Sequence, residues 1–269
     1  MREITLEEQK EILKEILNAF HEFCGEHKLQ YYLTGGTLLG AVRHRGFIPW
    51  DDDIDVCMPR NDYEKFLDLF DSAGKRFKVV SIRNKDYYLP FAKIVDTTTR
   101  LVEMVDSEFE LGIYIDVFPI DNMSNDYQKA FELYKSVTKY RNALMIKNIK
   151  LSKRRALYKN FMLLSGKTLL YIVPRKWILK KIDEKSQIYR ANDATAYVGM
   201  VCAAFYGKRE ILKDEWFTER CLLEFEGGRF WAPKGYDAFL TQLYGDYMQL
   251  PPEEKRVTHH DNKAWLVED

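Results

Sequence analysis

Residues 31–59, YYLTGGTLLGAVRHRGFIPWDDDIDVCMP, set a glycine pair just ahead of four carboxylates crowded into five positions, a pairing that few folds accommodate. Residues 30–33 read as a short strand. Thr34-Gly35-Gly36-Thr37 reads as a tight turn, because adjacent glycines permit dihedrals that a Cβ disfavours. Thr37 then opens a helix predicted over 37–43. A strand that runs through glycines into a helix start leaves backbone N–H groups aimed at one spot, where the helix dipole adds partial positive charge. Gly35, Gly36 and Thr37 are therefore candidate phosphate binders.

In the acidic half, Asp53-Ile54-Asp55-Val56 alternates acids with β-branched residues. On a strand this puts Asp53 and Asp55 on one face and the apolar pair on the other. Like charges at that spacing repel unless a cation lies between them. A hard divalent ion finished by substrate phosphates suits them, Mg2+ first and Mn2+ second. Asp51 shares their parity and is an outer candidate; Asp52 is predicted to face away. A second acid stands out in 111–120, LGIYIDVFPI, an apolar run with Asp116 at its centre. Burying a lone carboxylate costs several kcal/mol unless it is paired or metal-bound. Asp116 is therefore the third site carboxylate, completing Asp53, Asp55 and Asp116 as catalytic and metal-binding candidates. Lys93, on a strand predicted over 89–95, is a candidate to neutralise a diphosphate; Arg100 is a weaker one. Asp121, beyond Pro119, reads as a loop cap.

The rest of the chain bounds these readings. A length of 269 residues, 46% of them hydrophobic, suits a soluble globular chain with a sizeable core. Its formal net charge of zero argues against a nucleic-acid partner. Cys24, Cys57, Cys202 and Cys221 are widely spaced and form no C-x-x-C, which favours reduced thiols in a cytoplasmic protein. The charged start MREITLEEQK lacks the apolar core of a signal peptide. The longest mainly apolar run, 161–173, is shorter than the roughly 18 residues a spanning helix needs. His21, Cys24 and His27 fall near one helical face, but with no fourth ligand nearby they make a weak metal set.

Thr5-Leu6-Glu7-Glu8 is a capping box for a helix that ends near Gly25. A helix over 61–70 and strands over 78–82, 89–95 and 195–201 follow. Glycines at 227 and 228 predict a hairpin within 225–233, and a helix over 236–244 closes at Gly245. Between 129 and 181 there are fifteen Lys and Arg, Arg141, Lys153, Arg154 and Arg155 among them, and one acid, Glu132. Aromatic and aliphatic residues interleave them, giving two or three helices broken at Gly166 and Pro174. Such helices either meet an anionic membrane surface or present a merely solvated basic face, and the sequence leaves both open. The tail over 251–256 is expected to fold back, bringing Arg256, His259 or His260 near a donor phosphate.

The string GG-T-L-L-G-A-V-R-H-x-G-F-I-P-W-D-D-D-I-D-V resembles the LicD family of phosphocholine transferases, itself similar to nucleotidyltransferases and fukutin-related proteins. The resemblance is nearly unbroken over 33–62 and returns weakly at 112–121 and 244–256. It implies an α/β (α+β) fold: a nucleotidyltransferase-like small mixed sheet flanked by helices, with a basic helical insertion. The catalytic core would span 1–126, the insertion 127–190, and 191–269 the remainder of the core with a tail closing the site. It also implies transfer of phosphocholine from CDP-choline to a sugar hydroxyl of a lipid-linked oligosaccharide acceptor, such as a teichoic acid precursor, with release of CMP. Asp116 would complete the metal site or take the proton of the attacking hydroxyl. A location at the inner membrane face, cytoplasmic and peripheral, would give the basic segment a purpose. Alternatives are transfer of phosphoglycerol or phosphoribitol, transfer of a nucleotide monophosphate, and a catalytically silent binding protein. The chain lacks P-loop, G-x-G-x-x-G and G-x-S-x-G motifs, which removes those enzyme classes.

Overall fold

A computed structural model of the chain describes residues 2–70, 76–103, 105–152, 155–203, 205–256 and 263–267; Lys153, Arg154, His259 and His260 lie outside them. Strand β1 (Arg2–Glu3) leads into α1 (Leu6–Glu26). Thr5 accepts from the Glu8 N–H while Glu8 reaches back to the Thr5 N–H, so the predicted capping box closes the helix start. Leu13, Ile16, Leu17, Phe20 and Cys24 recur at helical spacing and are buried, laying α1 on the sheet.

The sheet is assembled from β2 (Tyr32–Leu33), β3 (Asp55–Pro59), β4 (Phe77–Val80), β5 (Ala92–Asp96) and β7 (Tyr114–Ser124), in the order β2-β3-β7-β5-β4. The intervening elements are α2 (Gly35–His44), α3 (Arg60–Leu69) and β6 (Thr99–Val102). Pairing is parallel between β3 and β7 and antiparallel elsewhere, so the sheet is mixed. The 11-residue β7 is buried along most of its length and carries the two short strands β8 (Tyr197–Gly199) and β9 (Leu212–Lys213) on its far end.

Three helices follow β7 in the chain: α4 (Tyr127–Asn148), α5 (Leu157–Leu169) and α6 (Arg175–Ser186). Helices α4 and α6 share a core of Leu133, Val137, Leu144, Ile178 and Ile182 that extends to Val201 and Cys202. Pro174 sits ahead of the first turn of α6, as a break there requires. Gly166, by contrast, does not break a helix. It lies inside α5, where a Cβ would come 3.1 Å from Ile146 of α4, and the glycine allows the close crossing.

The hairpin of β10 (Arg220–Phe225) and β11 (Gly228–Pro233) turns at Glu226 and Gly227, both with positive φ, as a two-residue hairpin turn demands. Helix α7 (Tyr236–Tyr244) stops at Gly245, φ +75°. The final strand, β12 (Lys263–Leu266), pairs with both β1 and β6, so the two ends of the described chain meet in one small sheet.

Candidate active site

The N-terminus of α2 and the first residues of β3, β5 and β7 converge on a cavity of about 870 Å3. Asp55 pairs in register with Asp116 across the parallel strands, and Asp116 with Lys93 across the antiparallel ones. Residues in register share a face of the sheet, which is why the three side chains come together. Asp51, Asp53, Asp55 and Asp116 all line the cavity, as do Gly35, Gly36 and Lys93.

Both glycines belong to the first turn of α2, so the helix begins at Gly35, two residues earlier than predicted. Thr34 is the N-cap in an extended conformation, and Gly35 has φ +55°. Added Cβ atoms would lie 2.7 Å from an Asp55 oxygen at position 35 and 2.5 Å from an Asp51 oxygen at position 36. The glycines thus let carboxylates stand directly against a helix N-terminus. Thr37 sits apart from this group: it is buried, and its hydroxyl accepts the Asp55 N–H at 2.8 Å, pinning β3 to α2.

Strand β3 begins at Asp55, so the alternation predicted from Asp53 onward does not reach back to the preceding residues. Asp52 does not line the cavity, as a residue facing away would not, yet its carboxylate stays close to its neighbours. It is buried, and the carboxylates of Asp51, Asp52 and Asp53 each offer an oxygen within 4.8 Å of the others, the one such grouping of potential metal ligands among the described residues.

Lys93 Nζ donates to Asp116 Oδ1 at 2.5 Å and lies 3.3 Å from the centre of the Tyr114 ring. It is almost fully buried, so it is not an ordinary surface charge. Among the described residues lining the cavity it is the only Lys or Arg, and it faces six acidic ones: Asp51, Asp53, Asp55, Glu103, Asp116 and Glu210. Burial, then the Asp53, Asp116 and Asp51 charges, push the Asp55 carboxyl well above the usual range. Burial also pushes Asp116 up to about 6, although Lys93 pulls the other way. Such a crowd of oxygen ligands fits a hard divalent cation, whose charge would relieve that repulsion.

The walls hold groups that the sequence reading passed over. Glu103 accepts from the Tyr114 hydroxyl at 2.5 Å and from the Tyr88 hydroxyl. It stands in the apolar run 101–105, the same sign of a buried acid that singled out Asp116. Glu210 accepts the Tyr206 N–H at 2.7 Å, and burial pushes its carboxyl up to about 7. Behind Phe205, Arg141 is buried with Nε and Nη1 unpartnered, its guanidinium 5.1 Å from that ring. Asp121 is not a loop cap. It lies within β7 and forms a two-pronged pair with Arg60, at 2.7 and 2.9 Å, and Arg60 also reaches Glu64 and Asp183.

The remaining candidates fall elsewhere. Arg100 pairs with Glu110, 2.5 Å away and exposed. His21 Nδ1 meets the Tyr31 hydroxyl at 2.6 Å and the His27 ring packs on Phe23, so neither is arranged around Cys24 as a ligand. Arg256 stacks 5.7 Å over Trp50, which lines the cavity, and this brings the tail to its rim.

Comparison with known proteins adds lineage to this geometry. The profile of the LicD/FKTN/FKRP nucleotidyltransferase domain matches residues 28–157, a span that holds every carboxylate of the Asp51–Asp116 group. The lipopolysaccharide cholinephosphotransferase LicD of Haemophilus influenzae is 32% identical over 271 aligned residues, covering 99% of this chain and 100% of that protein. An uncharacterised protein of Rickettsia typhi is 34% identical over 87 residues, 31% of this chain and 27% of its own length.

Proposed function

The chain belongs to the LicD family, and we propose from that membership and the cavity's chemistry that it transfers phosphocholine from CDP-choline to a sugar hydroxyl, releasing CMP. The observation that carries the reading is one cavity that joins a glycine-opened helix N-terminus to the carboxylates Asp53, Asp55 and Asp116. Its volume lies within the range of small-ligand sites. The acceptor is a cell-surface glycan precursor, such as one of teichoic acid, carried on a lipid at an anionic membrane face.

In the proposed reaction the acceptor oxygen bonds to the phosphorus that bears choline, and the bond from that phosphorus to the oxygen retained by CMP breaks. Asp53, Asp55 and Asp116 would hold Mg2+ or Mn2+, with Asp51 and Asp52 beside them. When bound, the ion would supply positive charge against the diphosphate and the departing CMP oxygen. Gly35 and Gly36 place N–H groups of the α2 first turn toward the phosphates, and Thr37 holds Asp55 in position beneath them. Asp116 takes the proton of the acceptor hydroxyl, and Lys93 keeps its carboxylate ionised by pairing with it.

Thermal unfolding tests the donor without an acceptor. CDP-choline, CDP-glycerol, CDP-ribitol and CTP are each added with and without Mg2+. A ligand at about 100 times its Kd stabilises by roughly 2.7 kcal/mol. The proposal expects a Mg2+-dependent rise with CDP-choline that CTP does not match, and CMP as the product once acceptor is present. Pyrophosphate in place of CMP would mean nucleotide transfer instead. Asp53→Ala should abolish turnover while leaving the unfolding midpoint near that of the parent, which a silent binding protein would not show.

A further inference from the structure

Helix α5 has no buried residue, yet the surface it turns to solvent is apolar. Leu157, Tyr158, Phe161, Met162, Leu164 and Leu169 are exposed, Leu157 at 87% and Phe161 at 72%. At 3.6 residues per turn they fall on one side of the helix. The only polar residues among them are Ser165 and Thr168. Each donates its hydroxyl hydrogen back to its own helix, Ser165 to the Phe161 carbonyl at 3.0 Å and Thr168 to the Leu164 carbonyl at 2.9 Å. Neither hydroxyl therefore needs water. Lysines 159 and 167 fall outside this arc, and Lys167 is turned inward to Asp106 and the Lys147 carbonyl. The turn beyond the helix adds Tyr171 and Ile172, the latter 85% exposed.

A solvated basic helix has its charges on the outward face, and this one has them at its margins. Exposed Lys150, Lys176 and Lys180 flank the apolar arc in sequence, Lys159 lies beside it around the helix, and residues 133–181 contain no Asp or Glu. Two copies of the chain meeting through this face would bring those like charges together. An anionic lipid surface complements them and accepts the apolar arc.

We propose that α5 and the turn after it lie in the surface layer of an anionic bilayer, with the arc from Leu157 to Leu169 inserted and the flanking lysines at the headgroups. Thirteen residues make a helix of about 20 Å, too short to span, so it lies in the plane of the interface. The position also serves the cavity. Lys167 of α5 binds the Asp106 carboxylate, and Arg175 of α6 donates to the Asp106 carbonyl at 2.7 Å. The neighbouring Val105 bridges to Ile149 and lines the cavity. Docking α5 therefore sets one cavity wall close to the lipid surface. The inference deepens, and for its biological purpose rests on, the reading that the acceptor is lipid-linked; its evidence is the helix itself.

Flotation of the full chain with phosphatidylcholine vesicles, with and without phosphatidylglycerol, tests it. The chain is expected to float with the anionic vesicles, and the double variant L157D/F161D to lose that binding by about tenfold or more, since two inserted side chains are forfeited. Its unfolding midpoint and its stabilisation by CDP-choline with Mg2+ should stay at the parent values. Absence of flotation by the parent, or equal flotation by the variant, overturns the proposal. So does a parent dimer that dissociates in L157D/F161D without any lipid binding. Flotation in a protein that CDP-choline fails to stabilise would leave the membrane face standing and remove the donor reading instead.

Discussion

Glu210 shows how the cavity draws on the stability of the fold. Its carboxyl is buried among Phe205, Tyr206 and Arg141, and burial raises it to about 7 from the ordinary glutamate range. In the unfolded chain it titrates near 4.3. Between those values the native state binds more protons than the unfolded one, so stability falls as pH rises through this window. Glu210→Gln keeps an oxygen to accept the Tyr206 N–H but does not ionise. The stability of the variant relative to the parent should therefore increase from pH 4 to pH 8 by roughly 3 kcal/mol, read by urea unfolding at both values. A pH-independent difference would place Glu210 in contact with water. The sequence held no cue to this residue, because Glu210 follows the charged string Gly207-Lys208-Arg209 and is buried only through tertiary contacts.

At the scale of elements, the Arg60–Asp121 pair couples the start of α3 to the middle of β7, with Asp183 of α6 joining from the helical segment. Both partners are almost completely buried. Removing one leaves the other charge uncompensated, at a cost of about 3–5 kcal/mol. Arg60→Ala should lower the unfolding free energy by that amount, and the double variant R60M/D121L should recover much of the loss; a loss below about 1 kcal/mol would show that water reaches the pair. The same pair marks where sequence reading ends. Helices and strands with strong periodicity or distinct turn chemistry were legible: α1 with its capping box, the β10–β11 hairpin with Gly227, and α7 closing at Gly245. Asp116 was legible as an acid inside an apolar strand, and it does share the cavity with Asp55. Asp121 was misplaced because its surroundings depend on which distant cation arrives, and its partner lies 61 residues away.

Across the whole molecule a formal charge of zero conceals two opposed regions. The cavity is ringed by carboxylates with Lys93 against them, while residues 133–181 carry only basic charges. Under the proposed reading a diphosphate donor would meet the cavity with a divalent cation, and an acceptor anchored in anionic lipid would meet the basic side. If both readings hold, the acceptor search is confined to a surface, and turnover depends on acceptor density in the bilayer as well as on bulk concentration. Diluting a lipid-linked acceptor with phosphatidylglycerol at fixed total acceptor should slow CMP release by the parent. A water-soluble acceptor glycan should show no such dependence and should react equally with the parent and L157D/F161D. On vesicles the double variant should release CMP more slowly by about the factor by which it loses binding, tenfold or more. Equal rates for parent and variant on vesicles would mean that the acceptor leaves the bilayer before it enters the cavity, and that α5 serves only to hold the enzyme near the membrane.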